Sequence, residues 1–167
     1  MGQATVRARV RELSAKEVYR RLADFPEYPR LCDAVREVVV LEADEQHMVS
    51  AWEVNFHRGI LRWTERAEFC PDEGLIRFAE VEGDVDDFRG HWSIQADEAE
   101  STVEVIFDVV FTVGIPTLEH ILDPIAEEAL HDNVTSILTG LMGELVTVEP
   151  LPPEADRPRA VVTDSWS

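Results

Sequence analysis

The sequence predicts an α+β domain: a curved, seven-stranded antiparallel sheet gripping one long helix near the C-terminus, with two short helices after the first strand. Three observations predict it. Over residues 123–146, Ile125, Ala126, Ala129, Leu130, Val134, Ile137, Leu138, Leu141, Met142 and Leu145 recur at steps of one, three and four, the signature of a wide apolar helical face. Nearly everything before that stretch reads as strands separated by short turns, and such strands pair as an antiparallel meander. One apolar sheet face must be covered, and the final helix is the element of the right size.

Each element has its own local reason. Val6, Ala8 and Val10 alternate with Arg7, Arg9 and Arg11, giving a half-exposed first strand over residues 5–11. Ser14 with Glu17 three residues on is a capping box, and Val18, Tyr19, Leu22 and Ala23 mark the short helix it starts. That helix stops near Phe25-Pro26, and Tyr28-Pro29 with Leu31 suggests a second short one. Residues 35–41 are a β-branched strand. Residues 48–56 alternate with Trp52, Val54 and Phe56 on one face, and His57-Arg58-Gly59 is a hairpin turn. Leu61, Trp63, Ala67 and Phe69 share a face of the next strand, and residues 71–74 are a turn of Pro-Asp-Glu-Gly composition. Strands over 76–80, 87–95 and 102–113 follow, the last with Val103, Val105, Phe107, Val109 and Phe111 inward. Gly114-Ile115-Pro116 breaks it. Asp123 is placed as N-cap of the long helix and Pro124 at its first position, where a helix tolerates proline best. The domain is expected over residues 1–146. Residues 147–167 carry Pro150, Pro152, Pro153 and Pro158 without periodicity and read as a flexible, acidic tail.

Composition narrows the function. The 167 residues carry a formal net charge of −19, which repels nucleic acid and anionic membrane surfaces, and Arg7, Arg9, Arg11, Arg20 and Arg21 are the only basic group that could offset it. No stretch approaches 18 apolar residues and no apolar run opens the chain, so neither a membrane span nor a signal peptide is expected. Cys32 and Cys70 form no C-x-x-C pair and read as reduced thiols of a cytoplasmic protein. The five histidines lack metal spacing; no metal or cofactor is expected.

Asp24-Phe25-Pro26-Glu27-Tyr28-Pro29, Trp63-Thr64-Glu65-Arg66 and Phe88-Arg89-Gly90-His91-Trp92, in this layout, resemble the START-like, or Bet v 1-like, helix-grip superfamily over about residues 4–145. More narrowly, the chain resembles the polyketide cyclase/dehydrase branch, close to coenzyme Q-binding and ribosome-association toxin-like proteins. The resemblance implies a cavity between sheet and helix that takes a hydrophobic, often aromatic molecule, and cyclase, aromatase or dehydratase chemistry on a polyketide in bacterial secondary metabolism. Where the resemblance implies a pocket arginine, histidine and aspartate, this chain has Ala67, Phe107 and Ile137. That loss supports a rival reading, a non-catalytic carrier or sequestering protein for a quinone, lipid or toxic product. A ribosome-associated interaction protein ranks last, because of the charge.

Alternation then selects the site. If Trp63, Ala67 and Phe69 face in, so does Glu65, and a carboxylate among aromatic rings has its pKa raised by desolvation, as a general acid or base near neutrality requires. Glu65 is therefore the expected catalytic residue. Trp52, Phe56, Trp63, Ala67, Phe69, Phe88, Trp92, Phe107, Asn133 and Ile137 are the expected ligand contacts, with Asn133 able to hydrogen-bond a ketone. Arg62 and Arg66 fall on the outer face, with Glu53 pairing Arg62. An acyl carrier protein would dock at that same cluster of Arg7, Arg9, Arg11, Arg20 and Arg21. An exposed strand edge leaves the chain a monomer or a homodimer.

Overall fold

A computed structural model describes residues 2–56, 59–112 and 119–153, with side chains of 119–122 excluded. In chain order the elements are β1 (Gly2–Arg11), α1 (Ala15–Ala23), a 3₁₀ turn (Phe25–Glu27), α2 (Tyr28–Leu31), β2 (Val35–Ala43), β3 (His47–Phe56), β4 (Gly59–Cys70), β5 (Leu75–Gly83), β6 (Asp87–Asp97), β7 (Thr102–Thr112), α3 (Glu119–Met142) and β8 (Val146–Val148). The strands form one sheet in the order β2-β3-β4-β5-β6-β7-β1-β8. The α+β architecture, the long C-terminal helix and the two short helices are as expected.

Three details differ. The sheet has eight strands rather than seven, because residues 146–148 pair with Ala8, Arg9 and Val10. The expected boundary at 146/147 falls inside that strand; the tail beyond residue 153 lies outside the described residues, as do the turn at His57-Arg58 and the break at Gly114-Ile115-Pro116. The long helix begins at Glu119, so Pro124 is internal and Asp123 is not its cap. A proline near a helix start removes one intrahelical hydrogen bond. Burial of Ala126, Leu130, Val134, Leu138 and Leu141 against the sheet outweighs that loss, since tertiary packing of one face supplies most of a helix's stability. The helix ends at Met142, not Val146, because Gly143 takes a left-handed φ of 62°.

Local chemistry places the remaining pieces. Ser14 Oγ accepts the backbone N–H of Glu17 at 3.1 Å and starts α1, whose Val18 and Leu22 are buried. Gly140 lets α3 approach α2 closely: a Cβ there would collide with the Leu31 carbonyl and the Cys32 sulfur. Strand alternation buries Val6, Ala8 and Val10 of β1 and Val103, Val105, Phe107 and Val109 of β7 in one core, with Phe25 and Tyr28 closing it. Among the described residues no helix is long and apolar enough to cross a membrane.

Candidate functional site

The sheet's concave face, the turn between α1 and α2, and α3 enclose a cavity of about 270 Å³. Period-two alternation delivers its walls. Trp52, Val54 and Phe56 come from β3, Leu61, Trp63 and Glu65 from β4, Phe78 from β5, Phe88 and Trp92 from β6, and Phe107 and Phe111 from β7. Helix α3 contributes Ala126, Leu130, Asn133, Val134 and Ile137, and Asp84 and Val85 of the β5–β6 turn complete the rim.

Of the residues singled out in the sequence, Glu65, Trp52, Phe56, Trp63, Phe88, Trp92, Phe107, Asn133 and Ile137 line the cavity. Ala67 and Phe69 share the inward face of β4 but are not among the cavity-lining residues. The ring of Phe25, swung in from the 3₁₀ turn, packs on Phe69 at 5.4 Å and on Trp52 at 5.2 Å, so that end of the strand is solid core. Phe25, Val54, Leu61 and Leu130 line the wall without being among the expected ligand contacts. Val54 and Leu61 carry a usable signal, being in phase with Trp52 and Trp63; Phe25 does not, because a turn has no periodicity.

Among the described wall residues Glu65 is the one buried carboxyl, 4% exposed. Trp63 Nε1 donates to its Oε1 at 3.0 Å. Desolvation pushes the carboxyl up to about 7, against the downward pull of the Trp63 hydrogen bond. Its cross-strand partner is Ser50, also buried, whose hydroxyl accepts the Trp52 Nε1–H at 2.8 Å. The two indoles stack with centroids 5.9 Å apart and planes within 5°.

The other polar wall groups serve the fold. Tyr28 donates its hydroxyl to the Leu22 carbonyl, and burial raises its pKa well above the ordinary phenol value. Asn133 donates one Nδ2 hydrogen to the Asn55 carbonyl at 2.7 Å, tying α3 to the end of β3. Asp84 accepts the Arg62 backbone N–H at 2.8 Å. No arginine, lysine or histidine is among the described wall residues.

Outside, Arg62 and Arg36 both pair with Glu53, at 2.8 and 3.0 Å, and Arg66 is exposed. The basic cluster is locally balanced: Arg20 and Arg21 reach Glu17, and Arg9 reaches Asp97 and Glu104. Cys32 and Cys70 are free thiols. Among the described residues no group of three or more potential ligands could hold a metal ion.

A family model described as polyketide cyclase/dehydrase and lipid transport matches residues 12–138. No curated protein matches. Among solved structures, a protein from Thermus thermophilus superposes with a TM-score of 0.75 at 21% identity, over 84% of this chain and 94% of that one. The Zhui aromatase/cyclase from a Streptomyces species gives 0.71 at 21% identity, over 86% and 93%. A START superfamily protein from Mycobacterium smegmatis gives 0.67 at 16%, over 87% and 97%. At these identities the likeness is one of fold.

Proposed function

The chain belongs to the polyketide cyclase/dehydrase and lipid transport family, and from that premise we propose that it takes an aromatic or polyketide-type molecule into the cavity and acts on it as a cyclase, aromatase or dehydratase, with Glu65 moving the proton. The observation that carries this reading is a buried, indole-anchored carboxyl facing a largely aromatic and aliphatic space. Such a group titrates near neutrality, where a general acid–base is most effective. As carboxylate, Glu65 takes a proton from the carbon beside a ligand carbonyl. As carboxylic acid, it returns a proton to the hydroxyl that departs as water. Both steps need water excluded from the surroundings, which the ring-lined wall provides.

The test is Glu65→Gln, assayed for binding and turnover of a poly-β-ketone analogue. Turnover falling by about 10²–10⁴-fold with binding unchanged is expected of a lost general acid–base. Unchanged turnover ends the assignment.

A second reading has its own support. Ala67, Phe107 and Ile137 stand where the resemblance implies polar groups, and the described cavity wall is largely apolar. That favours a carrier or sequestering protein for a quinone, lipid or toxic product, acting in the cytoplasm. Native mass spectrometry of protein from its producer distinguishes the two: a conjugated polyketide mass supports the enzyme, a quinone or lipid mass the carrier. For an acyl carrier protein as partner, the cluster of Arg7, Arg9, Arg11, Arg20 and Arg21 remains the proposed dock, although Arg20 and Arg21 already contact Glu17. Charge reversal at both positions should abolish carrier binding. The open β2 edge, where Val39 and Leu41 are exposed, supports a homodimer over a monomer, a choice that sedimentation decides.

A further inference from the structure

The described cavity wall holds two carboxyl groups and no base. Glu65 lies deep, and Asp84 is solvent-exposed at the rim. Glu65 accepts one hydrogen bond, from Trp63, and no cationic side chain of the described residues pairs with it. Around it, Trp63, Trp52, Tyr28 and Phe88 turn rings toward the same space.

We propose that this cavity selects apolar ligands that carry a protonated amine, seating the ammonium between Glu65 and the surrounding rings, and that it rejects apolar carboxylates. The inference rests on the reading that the cavity holds a hydrophobic ligand, and adds the charge of that ligand's head group. A carboxylate buried without a counter-ion is costly, and a ligand ammonium supplies the missing partner. Aromatic faces carry the negative end of the ring quadrupole, so they attract the same cation. An ammonium also holds Glu65 ionised, which is the state a general base needs. A ligand carboxylate would meet Glu65 and Asp84 with no compensating base among the described wall residues. The long-range field agrees: the net charge is −19, and Glu82, Asp84, Asp86 and Asp87 surround the β5–β6 turn that forms part of the rim.

Three probes with one naphthalene frame test it: 2-naphthylmethylamine, 2-naphthylmethanol and 2-naphthoic acid, titrated calorimetrically into the full chain at pH 7.5. The amine is expected to bind about tenfold or more tightly than the alcohol, and the acid more weakly than either. Glu65→Gln should bring the amine down to the level of the alcohol while alcohol affinity stays within about twofold, which also shows that the cavity is intact. Asp84→Asn should keep most of the amine preference. Equal binding of amine and alcohol to the unaltered protein overturns the inference and leaves the hydrophobic cavity standing. A preference that survives Glu65→Gln, or disappears with Asp84→Asn, overturns the seat assigned to the ammonium. Failure of all three probes to bind removes the cavity reading, and this inference with it.

Discussion

Trp63 donates its indole N–H to Glu65 at 3.0 Å across two positions of a single strand. On the neighbouring strand Trp52 does the same to Ser50 at 2.8 Å. Trp52 faces Trp63 and Ser50 faces Glu65 in the register, so the four side chains stand as two adjacent cross-strand pairs on the inner face of β3 and β4. The two indoles stack between these hydrogen bonds, and the carboxyl lines the space between sheet and helix.

Burial of Glu65 makes stability depend on pH. The folded state holds its proton up to about 7, whereas the unfolded chain releases it near 4.5. Its contribution is therefore greatest below 4.5 and is lost as pH rises through 7, by up to about 3 kcal/mol. Urea unfolding of Glu65→Gln should show this slope flattened and the variant more stable than the parent at pH 8. Parallel pH profiles would contradict the burial of the charge.

Trp63→Phe removes the one hydrogen bond that lowers the Glu65 pKa while keeping an aromatic ring in place. The titration midpoint of the Glu65 carboxyl, followed by carbon NMR, should move upward from its position in the parent. A downward movement would show that solvent enters when the indole is lost.

Gly90→Ala should be severely destabilising. A Cβ at Gly90 would run into the Asp108 carbonyl and approach Val109 Cα to 2.8 Å, and both obstacles are backbone of the paired strand β7. Overpacking against backbone costs roughly 2 kcal/mol or more, measurable as a lower urea midpoint. A loss below about 0.5 kcal/mol would mean that β6 and β7 can separate locally.

Asn133→Ala removes the tie between α3 and the Asn55 carbonyl. The expected loss is about 1 kcal/mol, with faster amide exchange at the end of β3. Unchanged exchange there would show that the Asn55 carbonyl is already satisfied by water.

Much of this is legible in the sequence. Period-two alternation is enough to put Glu65, Trp52, Trp63 and Phe107 on one face, because each strand's register is forced once one face is buried. The helix start is not legible: Asp123-Pro124 is a good local cap signal, yet α3 extends through it to Glu119, since packing outweighs local preference. Phe25 escapes for the opposite reason. It sits in a turn, where nothing local says which way a side chain points. Nor can a three-residue strand such as Val146–Val148 be read from its pattern, because it is too short to show a period and is placed by pairing with β1 and by packing on the core.

The position of β1 between β7 and β8 constrains how the chain is made. Its residues pair with 102–111 on one side and 146–148 on the other, so β1 has no sheet partner until the chain has been made through β7, and is paired on one side alone until β8 follows. The meander from β2 to β7 can zip by local hairpins in the meantime, whereas sheet completion waits on the most distant contacts in the sequence. Substitutions in β1 should accordingly show in late folding phases and in yield during synthesis more than in early collapse.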